Sequence, residues 1–416
     1  MNVPSPESAP LAGIIDAATH IPQLGSRALF PTLRASVYAN HAAVSPASTL
    51  VQHAVRAFLE DSACLGLGAV MPWIGQRDRL KQRLATLVGA EARDLALTAG
   101  TSSGILNVAM GHPWRAGDGI VLVRGEFPAN VTPWLHAARL FDLHVHWVDV
   151  AAFESTSGDG LAQVEAALNA GARLVAVSAV QFQTGFRMPI EALGALCRKH
   201  QAAIFVDAIQ ACGATPIDVS AVDYLACGGH KWLMGLEGVG FLYVAPHRVK
   251  QLRPHLTSWL SHQDGMEFLF AGPGHLRYDR PIRQSADMFE ASAPQVALFA
   301  ALEAGIATVQ AIGLDAVFRH IQAWHDHLEP RMVSLGFASL RSQNPVGRSA
   351  SLCFDVPSGV DVVALHAALD EHGISVAIPD GRLRFSPHWP NALSEPDTIV
   401  DVLDGLIPRL QAGRGN

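Results

Sequence analysis

Seven short apolar runs constrain this chain more than any other feature: "DLALT", "GIVLV", "LHVHWVDV", "RLVAVSAV", "AAIFVD", "DYLAC" and "VGFLYV". Each has the length of one strand, most are rich in Val, Ile, Leu or Ala throughout, and several are separated by helical segments such as "LAQVEAALNAG" and "PIEALGALCRKH". Strands buried on both faces and joined through helices make a mostly parallel sheet, so an α/β domain is expected. Ahead of them, "STLVQHAVRAFLED" and "RDRLKQRLATLVGA" carry apolar residues at helical spacing, and Ser48 is placed to cap the first. From about 250 to 290 the periodicity is lost and Pro, His and Arg accumulate, as in a loop-rich connection. Beyond it, one long helical stretch near 294–335, a strand-like "ASLCFDV", a helix near 360–372, "RLRFS" and a final helix read as a smaller α+β domain. The expected organisation is a leader over 1–36, a large domain over 37–290 and a small one over 291–416. A chain of 416 residues with 49% hydrophobic and 16% charged residues has the apolar material for two such cores.

The formal net charge is -7 and the isoelectric point is near 6.2, so composition offers no basic surface for nucleic acid or an anionic membrane. Small-molecule chemistry is the expectation that remains. The first residues, "MNVPSPESAPLAG", lack the basic and apolar regions of an export signal, and no stretch has the uninterrupted apolar length of a membrane span. A cytoplasmic protein is expected. Five cysteines, Cys64, Cys197, Cys212, Cys227 and Cys353, include no C-x-x-C pair, which argues against a disulfide framework and against a structural metal site.

One lysine stands out in "ACGGHKWLMGLEGVGFLYV". Lys231 follows two glycines and a histidine and precedes more glycine and an apolar strand, so its amine is poised to lose water. Desolvation favours the neutral amine, the nucleophilic form that makes Schiff bases. Upstream, "AAIFVD" ends on Asp207, with Gln210 one turn later. A carboxylate at the carboxyl end of a buried strand lies where open α/β sheets bind ligands, although a helix cap or a surface ion pair would also use one. Further upstream, "LALTAGTSSGILNVA" is a strand, a Gly-Thr-Ser-Ser-Gly turn and a helix start, a pattern suited to a phosphate as well as to ordinary capping. Pyridoxal 5'-phosphate has three matching handles: an aldehyde for a lysine, a phosphate for an anion site, and a pyridine nitrogen for a carboxylate.

"VDYLACGGHKWLMGLEGVGFL" resembles the lysine segment of class V aminotransferase-fold enzymes, the fold type I pyridoxal phosphate group that includes cysteine desulfurases, kynureninases and isopenicillin N epimerases. "VYANHAAVSP", "GTSSG", "GEFPANVTPW", "VDAIQACGATPID" and "LRFSPHWPN" are similar to further family segments, in family order, over about residues 37 to 405. The resemblance implies fold type I: a large domain with a mostly parallel seven-stranded sheet and a smaller C-terminal domain. It implies Lys231 as the Schiff-base lysine, Asp207 at the pyridine nitrogen and Gln210 near the phenolic oxygen. Thr101 and Ser102 would hold the phosphate with His230 beside them, and Phe127 would pack on the ring where cysteine desulfurases usually carry histidine. Simple core packing is the competing reading of Phe127. Arg384 corresponds to the arginine that grips the substrate α-carboxylate, with Arg382 its rival on the same strand. Asn40 and His41 fall where the family lines the substrate pocket, and His388 is weighed with them against a structural role.

The departures narrow the activity. "HGISVAIPDGRLRFS" contains no cysteine, where cysteine desulfurases carry their sulfur acceptor shortly before the carboxylate-binding strand. "FEASAPQ" places Ala293 where relatives often have a threonine reaching the neighbouring subunit's phosphate, leaving Ser292 to compensate. The resemblance still implies a homodimer. The implied reaction starts when a small α-amino acid displaces Lys231 from the aldehyde as an external aldimine, and Lys231 then handles the Cα proton of the resulting carbanion. Elimination by a lyase and transamination rank level, with epimerisation third. A non-catalytic pyridoxal phosphate-binding protein is the opposing class, disfavoured because Lys231, Asp207 and Arg384 are all present. The residues over about 255–288, with Trp259, His262 and Arg283, are candidates for shaping the substrate pocket.

Overall fold

All seven apolar runs are strands of one sheet. The computed structural model describes residues 21–154 and 159–412; the reading of the leader over residues 1–20 lies outside the described residues. A two-residue strand, β1 (Val37–Tyr38), precedes β2 (Leu95–Thr98), β3 (Gly119–Arg124), β4 (His144–Asp149), β5 (Ala172–Ser178), β6 (Ala203–Asp207), β7 (Tyr224–Gly228) and β8 (Gly240–Val244). The large sheet runs β2-β8-β7-β6-β5-β3-β4. Pairings from β7 through β4 are parallel, whereas β8 is antiparallel to both of its neighbours.

The apolar runs are continuous because side chains alternate between two buried faces. On β3 and β6, Ile120, Leu122, Ala203 and Phe205 enter one core, while Val121, Val123, Ile204 and Val206 enter the other. The first core packs under helices Thr101–Gly111 and Thr132–Phe141, the second under Val70–Val88 and Ile190–Lys199. Ser48 caps the helix Thr49–Leu65 as expected, accepting the Val51 N–H at 3.2 Å.

The smaller unit has a three-stranded antiparallel sheet, β12 (Leu383–Phe385), β10 (Leu352–Asp355) and β9 (Ala338–Ser339) in spatial order. Between β10 and β12 in sequence, β11 (Ile374–Ser375) pairs in parallel with β1, so Val37 and Tyr38 are built into this unit. Val37 and Ala39 share its core with Trp324, Phe354 and Phe385.

One expectation needs correction. The stretch near 294–335 is two helices, Val296–Ile312 and Leu314–Ser334, bent by 78°. Gly313 between them has φ 90°, outside the helical region. The first of these helices packs against Trp232 and Met234, beside the lysine segment. In addition, the joined helices Thr49–Val88 include an 18-residue window of mean hydropathy 1.2, long and apolar enough by composition to cross a membrane. Their corner exposes Leu59, Leu65, Leu67 and Met71, and the stretch also carries Glu60, Asp61, Arg77 and Asp78.

Candidate active site

The site forms where the carboxyl ends of the strands meet. β3 and β5 are neighbours, while β4, which follows β3 in sequence, lies on the outer side of β3. Sheet growth therefore reverses between β3 and β5, and such a reversal opens a crevice at the strand ends. Phe127 follows β3, Ser178 ends β5 in register with Asp207 at the end of β6, and Lys231 follows β7. Phe127, Phe182, Asp207, Gln210 and Lys231 line one narrow cavity of about 10 Å³.

The charges around this cavity are buried with little compensation. Lys231 Nζ lies 5.7 Å from the centroid of the Phe127 ring. Burial, aided by the nearby Arg384 charge, pushes the amine down from 10.5 to about 8, against the opposing pull of Asp207. Burial pushes the Asp207 carboxyl up from 3.8 to about 7, against the Ile209 N–H that donates to it at 3.0 Å. Arg384 is 4% exposed; its Nη1 donates to the Phe182 carbonyl at 2.9 Å and its Nε has no partner. Among the described residues no carboxylate pairs with it. Arg382, its rival, is already engaged by Gln183 at 3.2 Å and Asp355 at 3.5 Å.

A second cluster sits at the start of helix Thr101–Gly111. The Thr101 hydroxyl accepts the Gly228 N–H at 2.8 Å. A Cβ at Gly228 would stand 3.3 Å from Thr101 Oγ1 and 3.4 Å from His230 Cε1, so only glycine leaves this cradle open. Ser102, next on the helix, is exposed.

A sequence profile of the class V aminotransferases matches residues 37–382. The chain belongs to the class V aminotransferase family. Among its curated relatives, a probable cysteine desulfurase of Pyrococcus abyssi is 27% identical over 80% of this chain and 83% of its own length. Isopenicillin N epimerase of Streptomyces clavuligerus is 26% identical over 78% and 83%. In fold, the chain is similar to a cystine C–S lyase, C-DES, solved with its reaction product cysteine persulfide, with a TM-score of 0.80 and 24% identity over 88% of this chain and 96% of that one.

Other residues expected at this class V site are placed as follows. Gln210 lines the cavity, but both ends of its amide are engaged: it donates to Ala42 O at 3.1 Å and accepts Trp232 Nε1 at 2.9 Å. Asn40 bridges to Ser386, two residues past Arg384; its Nδ2 donates to Val376 O at 3.1 Å and its Oδ1 is buried without a partner. His41 is not on the lysine cavity. Its Nδ1 lies 2.8 Å from the Ser45 hydroxyl, which donates to the Lys231 carbonyl at 2.6 Å, so it braces the lysine backbone. His388 is structural as well: its Nε2 is 2.9 Å from Trp232 O, and its Nδ1 accepts the Trp389 N–H at 2.7 Å. Arg283 and Ser292 help to line a separate cavity of about 580 Å³, as does Ala293; Arg283 is tied to Asp287 at 2.8 Å. His262 Nδ1 is 2.5 Å from Arg280 O, and Trp259 is 40% exposed, edge-on to Phe268.

Sequence reasoning assigned no role to Phe182, Ser45 or Glu126. Phe182 packs edge-on against Phe127 with centroids 5.4 Å apart. Only Glu126 had a readable signal, an acid between a glycine and an aromatic just past an apolar strand.

Proposed function

We propose that this enzyme is a pyridoxal phosphate-dependent C–S lyase acting on a small cysteine-type amino acid. The carrying observation is the set of under-compensated buried charges, Lys231, Asp207 and Arg384, around one crevice, which fits a cofactor aldehyde, a pyridine nitrogen and an α-carboxylate. The Gly228 cradle with Thr101 and His230 suits a phosphate, with Ser102 at hand, and Phe127 offers an apolar face to the ring. Bound pyridoxal phosphate supplies an aldehyde that captures the substrate amine and a ring that draws off negative charge at Cα. Gln210 would lie at the phenolic oxygen.

Arg384 holds the substrate carboxylate with its planar fork, which fixes the direction of the Cα–H bond. Lys231, with its proton affinity lowered by burial, takes the Cα proton and returns it where needed. Phe127 has no proton to give, so Lys231 is the group that serves the departing sulfur. An S-substituted cysteine and one water then yield a thiol, ammonia and pyruvate. No thiol near Arg384 is suited to accept sulfur: Cys353 lies opposite it on β10, fully buried, with burial pushing its thiol up to about 12. That supports release of the sulfur product rather than its transfer to an enzyme cysteine.

The likeness to isopenicillin N epimerase and the proton-free Phe127 support epimerisation as a second reading, with transamination alongside. Cofactor-loaded protein incubated with L-cysteine, L-cystine and S-alkyl cysteines, without a keto acid, should accumulate ammonia and pyruvate over many turnovers, with sulfide, cysteine persulfide and a thiol as the respective sulfur products. Arrest after one equivalent would mean transamination, and loss of optical rotation without pyruvate would mean epimerisation. A homodimer belongs to this proposal, supported by the apolar corner at Leu65, Leu67 and Met71. A cytoplasmic location does too, supported by five free cysteines.

A further inference from the structure

The loop after β3 carries a carboxylate that the reading above leaves unused. Glu126 stands directly before Phe127 and is 8% exposed. Its Oε1 accepts the Ser178 N–H at 2.7 Å and Gln181 Nε2 at 2.9 Å, while Oε2 is bonded to the Ser178 hydroxyl. Both donors to Oε1 are N–H groups that cannot accept, so that oxygen carries no proton. No lysine, arginine or histidine among the described residues pairs with Glu126. Ser178, which it holds, sits in register beside Asp207 at the strand ends. The charged groups facing this spot are Asp207 from β6 and, beyond it, Lys231 after β7.

We propose that Glu126 is an ionised positioning residue that pins Phe127 to the end of β5 and places a second negative charge behind Asp207, tightening Asp207's hold on the cofactor's pyridine proton. The inference rests on the pyridoxal phosphate reading above. A like charge beside a carboxylate favours whatever proton that carboxylate shares, and in a buried site water does little to screen it. The three bonds from Ser178 and Gln181, together with Asn130, favour the charged form and oppose the burial that leaves the Glu126 carboxyl raised. They also fix the residue on which the Phe127 backbone depends.

The test uses protein loaded with pyridoxal phosphate labelled with ¹⁵N in the ring, and the variants Glu126→Gln and Glu126→Asp. The Gln variant keeps an oxygen for the Ser178 N–H and removes the charge. The pH midpoint at which the ring nitrogen loses its proton should fall by about one unit, and kcat by about tenfold with KM held within about twofold. The Asp variant keeps the charge but shortens the reach, so it should hold the parent midpoint while losing visible circular dichroism as Phe127 shifts. A Gln variant with the parent midpoint and kcat overturns the proposal, and so does an Asp variant whose midpoint falls as far as that of Gln. A parent protein that binds no labelled cofactor removes the underlying reading and this inference with it.

Discussion

Two groups of buried charge in this molecule are built in opposite ways. At the foot of helix Leu314–Ser334, Arg341 is almost wholly enclosed and its charge is answered by two carboxylates: Nη1 meets Asp326 at 2.6 Å and Glu329 at 2.7 Å, and Nη2 meets Gln322 at 2.9 Å, although its Nε, like that of Arg384, has no partner. Glu290 is likewise held by Arg77, by Lys81 at 3.4 Å and by the Leu97 N–H at 3.0 Å. At the strand ends, Asp207 and Arg384 are buried as deeply and Lys231 is half-buried, with no ion pair among them. Burying a charge without a partner costs several kcal/mol, about the size of a large single-residue effect on stability. A fold that answers Arg341 and Glu290 with ions of opposite charge and leaves these three at the strand ends without one is holding them for something that binds.

That contrast is most sharply broken at the lysine. Lys231→Ala should lower turnover by about 1,000-fold or more, the scale of losing a positioned proton-transfer group. The same variant, stripped of cofactor, should melt at a higher temperature than the stripped parent, because an uncompensated charge has gone. A fall in both would place Lys231 with the paired, stabilising charges. Next in size, Arg384→Ala should raise KM for the amino acid by about 100-fold, the value of a charged hydrogen-bond pair. Arg382→Ala, already satisfied by Gln183 and Asp355, should change KM by no more than about twofold; equal effects would mean the two arginines share the carboxylate. Smaller again, Arg341→Ala should cost about 2 kcal/mol in urea unfolding, because Asp326 and Glu329 retain partial access to water. Its kcat/KM per folded molecule should stay within about twofold of the parent.

The sheet was legible because burial on both faces writes itself as unbroken apolar runs; Val121 and Ile120 need the same chemistry though they enter different cores. Lys231 was legible from its glycine-rich, apolar setting and Asp207 from its place at a strand end beside the other two elements, whereas Arg384 was reached only through the family resemblance. What was lost is what depends on rotation about a bond. By position His41 and His388 stood between a substrate role and a structural one, and their rings turn toward Ser45 and Trp232 O and serve the backbone. Glu126 was hidden because its partners, Ser178 and Gln181, lie on another strand's end, more than 50 residues away in the chain. The break at Gly313 was missed because apolar spacing continues across it.

The finest effect is the pH dependence of stability without cofactor. The Asp207 carboxyl sits near 7 in the folded chain and at 3.8 when free, so the folded state holds the extra proton between those values. Stability therefore falls as pH rises through that window. For Lys231 the folded value is about 8 against 10.5, so the unfolded state holds the extra proton above pH 8, and stability rises with pH from there. Together the two groups predict a trough near pH 7 to 8. Other titrating groups are removed by taking the difference between stripped parent and stripped Lys231→Ala in urea midpoints across the range. That difference should grow as pH falls from about 10 toward 8. On the proposed reading pyridoxal phosphate should flatten the trough, since it would occupy the lysine and face Asp207 with a protonated nitrogen. Curves that stay parallel for the two proteins, and for loaded and stripped parent, would show these charges to be as well answered as those around Arg341.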